Sequence, residues 1–102
     1  GRYSRIGDIV YASCTLVWSA HTGTGNMTVT GLPLTSENNG VTTSLTVFWN
    51  NITLLAVGNK ILAAVAPSMT KIELYEIGSG PNTNMPMDSA GTLNISGFYF
   101  VD

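Results

Sequence analysis

The sequence predicts an all-β domain, an antiparallel β-sandwich of jelly-roll-like type, and three observations carry that expectation. Apolar residues recur at every second position in several stretches, the period of a strand with one buried face. No stretch carries them at i, i+3, i+4 and i+7 over three turns, so helix is nearly absent from the reading. Turn residues punctuate the chain at a spacing of roughly 8 to 12 residues, the rhythm of sandwiches and barrels built from short strands.

The elements follow in order. From Ile9 to Trp18, Val10, Ala12, Cys14, Leu16 and Trp18 share one face and Ile9, Tyr11, Ser13, Thr15 and Val17 the other. Both faces are partly apolar, so this strand is expected to be covered on both sides. His21 to Asn26 is a loop by composition, because two Gly supply positive φ and Thr and Asn bond their own backbone. A short strand over Asn26 to Thr30 is closed by Gly31-Leu32-Pro33, and Asn39-Gly40 marks a turn before a strand over Thr42 to Trp49. Asn50-Asn51 tolerates the left-handed conformation of a two-residue loop, which predicts a tight hairpin into Ile52 to Val57. Gly58-Asn59 repeats the device before Ile61 to Ala66, whose continuous apolar run reads as a strand buried on both faces or a short core segment. Pro67 ends it. Thr70 to Ile77 alternates as a half-buried strand, Gly78 to Gly91 is the longest irregular segment, and Thr92 to Val101 closes the chain as a strand. In that last strand Leu93, Ile95, Gly97, Tyr99 and Val101 face one way and Phe98 and Phe100 the other.

The composition bounds what such a domain does. The 102 residues make a single domain with one core. Only 10% of them are charged, against about 25% in an ordinary globular domain, and 13 Thr, 9 Ser and 9 Asn supply the polarity instead. Such a surface is suited to contact with sister subunits and to neutral carbohydrate. Four cations, a net charge of −2 and a pI near 5.1 leave no basic stripe for nucleic acid. The longest apolar run, Ile61 to Pro67, falls well short of the ~20 residues of a membrane helix, and nothing marks a signal peptide. Cys14 is the one cysteine, so no intrachain disulfide staples the fold. The absent initiator Met and the opening Gly-Arg-Tyr read as a piece of a longer protein, its C-terminal end.

No catalytic signature stands out. A Cys14–His21 nucleophilic pair is disfavoured because Cys14 falls on the same face as Val10, Ala12 and Leu16, where a thiol is a small inert hydrophobe. His21 reads more simply as a loop residue bonded within its turn. Glycoside hydrolysis needs two carboxylates facing one another, and Glu73 and Glu76, three apart on a strand, point to opposite faces. Asp8, Glu37 and Asp88 fall in or near loops, where acids are solvated or cap turns. One His, one Cys and scattered acids lack the clustering of a zinc or calcium site, and no cofactor is expected. Three Asn-x-Ser/Thr sequons at Asn26, Asn51 and Asn94 carry no weight in a chain so rich in Asn, Ser and Thr. What remains is recognition by stacking and hydrogen bonding, in which an aromatic platform lies beside planar amides. Trp49, next to Asn50 and Asn51, fits that description best, against ordinary packing at a sandwich rim or subunit interface; Tyr75, His21 and the Asn82-Thr83-Asn84 loop are weaker candidates.

Edge strands must be paired, capped or charged, and few charges are present for that purpose. Pairing or packing against sister subunits is therefore expected, without fixing their number.

Tyr3-Ser4-Arg5-Ile6-Gly7-Asp8-Ile9-Val10, then Trp18 with His21-Thr22-Gly23-Thr24-Gly25-Asn26, then Thr30-Gly31-Leu32-Pro33, and at the end Ser96-Gly97-Phe98-Tyr99-Phe100-Val101, resemble in order the C-terminal domain of bacteriophage tail fibres and tailspikes. These motifs cover about the first third and the last tenth of the chain, and Leu34 to Leu93 carries no matching signature. The resemblance implies a homotrimeric β-sandwich at the distal end of a virion fibre, clamping three chains and touching host-surface polysaccharide. It brings no catalytic residue with it. The competing expectations are a structural trimer clamp without ligand, a small esterase or glycosidase acting at the subunit junction, and a cellular trimeric adhesion module.

Overall fold

The computed structural model describes residues 1–19, 25–54, 58–85 and 90–102. Eight strands form one continuous antiparallel sheet: β1 (Arg2–Ile6), β2 (Ile9–Trp18), β3 (Thr28–Thr30), β4 (Thr43–Asn50), β5 (Lys60–Val65), β6 (Lys71–Ile77), β7 (Thr83–Asn84) and β8 (Gly91–Phe100). Their order across the sheet is β1-β2-β8-β4-β5-β6-β3, and β7 pairs with β6 beyond the end of β3. The all-β antiparallel class expected from the pattern of alternation is thus the one observed.

The sheet is bent into a half-barrel by β4. Thr43 to Leu45 pairs with Val65 to Ala63 of β5, whereas Thr46 to Asn50 pairs with Ser96 to Thr92 of β8. One strand therefore belongs to both halves, and the fold line runs between Leu45 and Thr46. Gly97 makes that bend feasible. A Cβ built there would lie 2.8 Å from Leu45 Cδ2 and 3.3 Å from Leu45 Cα, so a side chain at 97 would push β4 away.

Local sequence explains the remaining elements. β1 and β2 form a hairpin whose loop is Gly7-Asp8, with Gly7 at φ 58. β2 pairs with β8 along its whole length, Ile9 opposite Phe100 and Trp18 opposite Gly91, and it has the bounds that the alternation indicated. The concave side of the half-barrel holds the core: Val10, Leu45, Ile61, Val65, Ile72, Leu74, Leu93, Ile95, Tyr99 and Val101, with Met27 and Met85 from the connecting segments. Each large apolar side chain so buried contributes about 1.5–3 kcal/mol.

The segment 31–37 crosses the core and is anchored at two points. The Tyr99 hydroxyl donates to the Leu34 carbonyl at 2.9 Å and lies 3.3 Å from the Leu34 N–H, which donates to it. Buried Ser36 donates from Oγ to the Ala66 carbonyl at 2.5 Å, accepts from the Met69 N–H at 2.9 Å, and bridges to Val101 through its backbone. These bonds satisfy polar groups that burial would otherwise penalise.

Several sequence expectations are corrected. The hairpin from Asn50-Asn51 into Ile52 to Val57 does not form: Asn51 does take a positive φ of 57, but Ile52 to Leu54 belong to no strand and 55–57 lie outside the described residues. Over Thr46 to Asn50, β4 instead finds its partner in the distant β8, and over Thr43 to Leu45 in β5. The strand over Asn26 to Thr30 is shortened to Thr28–Thr30. β1 was not anticipated, because all five of its residues are exposed and show no buried face to read. Nor is β2 covered on both sides within the chain: Ile9, Tyr11 and Val17 are exposed, whereas the apolar run of β5 is mostly buried.

Candidate functional site

The residue-level candidate is the convex face of β1, β2, β8 and β4, which strand alternation builds from every second residue. Register places these side chains in transverse rows. Ile6, Ile9 and Phe100 form the first, and Ser4, Tyr11 and Phe98 the second. Arg2, Ser13, Ser96 and Thr46 form the third, Thr15, Asn94 and Phe48 the fourth, and Val17, Thr92 and Asn50 the last. Across all five rows there is a single charged residue, Arg2. The chain's scarcity of ions is thereby concentrated on one broad surface.

That surface divides by chemistry. Its first two rows are apolar and aromatic: Ile6 is 81% exposed and Phe98 58%, and the Tyr11 and Phe98 rings meet edge-on with centroids 5.2 Å apart and planes at 65°. Further along are hydroxyls and an amide. Thr15 Oγ1 donates to Asn94 Oδ1 at 2.7 Å, which leaves the Asn94 NH2 as a donor. Gly1, Arg2, Ser13, Thr15, Asn94 and Ser96 are among the residues lining a depression of about 390 Å³. Phe48, 63% exposed, stands directly across the strand pair from Asn94. Four residues along a strand separate the Tyr11–Phe98 row from the Phe48 row, about 13 Å.

A second concavity lies on the other side of the sheet, where the half-barrel stays open. It is about 410 Å³, lined by Cys14, Leu16, Val29, Leu32, Leu45 and Ile72 among others, and flanked by β2 and the segment from Val29 to Pro33. Cys14 is half-buried there, on the inward face that the alternation assigned to it.

The sequence-derived candidates are dispersed by the fold. Trp49 faces inward on β4, half-buried and packed against the core, so it is its neighbour Phe48 that stands in solvent. Asn50 is exposed on the convex face opposite Thr92, while Asn51 is a turn residue whose part is conformational. Tyr75 lies in the other half of the sheet, its hydroxyl donating to Glu73 Oε2 at 2.9 Å. That hydrogen bond, with partial burial and the Glu73 charge behind it, raises the Tyr75 pKa above its ordinary value. Asn84 is the cross-strand partner of Tyr75. His21 and Asp88 lie outside the described residues.

The carboxylates of Glu73 and Glu76 do not converge. Glu76 is buried on the concave side, where Asn59 Nδ2 donates to its Oε2 at 2.7 Å, and Glu73 occupies the opposite face, as their spacing dictates. Glu37 accepts from Asn39 Nδ2 at 3.1 Å within its own loop.

The residues that sequence reasoning passed over are Phe48, Tyr11, Phe98, Ser13, Asn94 and Ser96. The signal for them was present: Phe98 and Phe100 alternate against the core face of the last strand, as Tyr11 does in β2. What the pattern of one strand could not supply was which strands lie side by side. No protein-family model, curated protein or solved structure matches this chain.

Proposed function

We propose that this chain is an assembly and receptor-contact module, a C-terminal domain of the phage tail fibre or tailspike kind, acting as a homotrimer at the tip of a virion. In this reading the two halves of the bent sheet act as the layers of a jelly-roll-like sandwich. The apolar end of the convex face joins sister chains, and the hydroxyl and amide rows beside Phe48 meet host-surface polysaccharide. Its mechanism is binding and interlocking, without bond-making chemistry.

One observation carries the reading: a sheet face of four strands that exposes Ile6, Ile9, Tyr11, Phe98 and Phe100 together and holds one charge. An exposed apolar patch of this continuity marks an interaction surface, and the absence of like charges removes the repulsion that keeps monomers apart. The order of the motifs resembling tail-fibre ends points the same way. A second reading, a purely structural clamp, draws on the inward packing of Trp49, which removes the platform first assigned to glycan.

Native mass by multi-angle light scattering tests the assembly. Three chains per particle are expected, and Phe98→Lys, which places a charge in the exposed aromatic row, is expected to yield folded monomer. A wild-type chain that stays monomeric at micromolar concentration would sink the proposal. Binding to host polysaccharide by the intact oligomer separates receptor contact from the clamp.

A further inference from the structure

We infer that the depression between β1, β2 and β8 on the convex face is a subsite for the carboxylate of an acidic sugar, with Phe48 as the adjoining stacking surface. The inference rests on the receptor-contact reading and sharpens it, because it names the class of saccharide.

The depression is lined by Gly1, Arg2, Ser13, Cys14, Thr15, Asn94, Ile95 and Ser96 and by no Asp or Glu. Arg2 contributes a guanidinium with five N–H donors and no acceptor, and Asn94 contributes its NH2 because its oxygen is taken by Thr15. Ser13 and Ser96 face each other across β2 and β8 with their hydroxyls beside these donors. Among the described residues, none of these four side chains has another hydrogen-bond or ion-pair partner than the Thr15 bond. A site so rich in donors matches a ligand rich in acceptors, and the planar fork of Arg suits a carboxylate.

The surroundings restrict the ligand further. Phe48 lies across from Asn94 on the same face and is mostly exposed, so an apolar ring face can rest on it while a substituent reaches the donors. The remaining rows offer neutral hydroxyls and an amide, which suit sugar hydroxyls, and hold no second cationic side chain for a polyanion such as a nucleic acid. A saccharide with one carboxylate per recognised unit satisfies both conditions.

The test measures binding of trigalacturonic acid and of its neutral methyl ester to the full chain by isothermal titration calorimetry. Both are measured at low and at raised salt, on wild type, Arg2→Gln and Phe48→Ala. Circular dichroism and light scattering report fold and assembly of each variant. Wild type is expected to prefer the acid on the order of ten-fold, as a charge-assisted hydrogen bond supplies, with the preference shrinking as salt screens it. Arg2→Gln is expected to weaken the acid far more than the ester and so remove the preference, and Phe48→Ala to weaken both ligands alike. Equal binding of acid and ester, a preference that survives Arg2→Gln, or competition by equimolar inorganic phosphate overturns the acidic-sugar assignment and leaves receptor contact standing. Binding of neither ligand by an intact oligomer overturns both.

Discussion

Tyr99 is the residue on which much of the interior depends. Its ring is fully buried, and its hydroxyl is engaged twice by the backbone of Leu34, which fastens the 31–37 segment over the open side of the half-barrel. Tyr99→Phe keeps the ring but leaves the part-buried Leu34 carbonyl and N–H without their partner, so a loss of about 1 kcal/mol is expected in urea unfolding. Burial raises the Tyr99 pKa above 10.0, partly offset by its backbone hydrogen bond. The sign follows: the folded state holds the phenolic proton more tightly than the unfolded chain, so this contribution is intact below the unfolded tyrosine pKa and is lost as pH rises through the folded value. Stability measured above pH ~10 is therefore expected to fall less steeply in Tyr99→Phe than in wild type. Ser36→Ala is a comparable loss, since one hydroxyl links Ala66 and Met69 across the turn that carries Ser68 at φ 59.

At the scale of elements, the sharing of β4 between two halves of the sheet is the decisive feature, and Gly97 is its enabling residue. Gly97→Val would force a side chain into Leu45, and overpacking of this kind costs about 1–3 kcal/mol. The expected reading is a lowered urea midpoint with an unchanged slope; a midpoint equal to that of wild type would show that β4 accommodates the side chain without strain. The register of β2 against β8 is held by ten residue pairs, and a slip of one would turn the core face outward.

For the molecule as a whole, the half-barrel hides its concave side and leaves its convex side bare. Ile6, Val17, Phe48 and Phe98 are all more than half exposed on that face, and Arg2 is the one charged side chain in its rows. Self-association through this surface is expected to strengthen slightly with salt, because burial of apolar area and not ion pairing drives it. Sedimentation velocity at two salt concentrations checks that direction.

The sequence by itself determined the class, the bounds of β2 and the sorting of β2 and β8 into two sets of alternate residues, because a period of two assigns neighbours to opposite sides without knowledge of any partner; which side of β2 is left bare it did not determine. It also placed Glu73 and Glu76 back to back for the same reason. Only the tertiary structure decided which strands are neighbours, and with them the site. Asn51 has the conformation its residue type allows, yet Ile52 to Leu54 form no strand, and β4 takes its partners from the distant β5 and β8. Trp49 and Phe48 differ by one position, and alternation puts Trp49 with Leu45 and Val47 on the inner face and Phe48 with Thr46 and Asn50 on the outer one. Register is a relation between segments far apart in the chain, so the assembly of Arg2, Ser13, Asn94 and Ser96 in one depression came into view only when the sheet was formed.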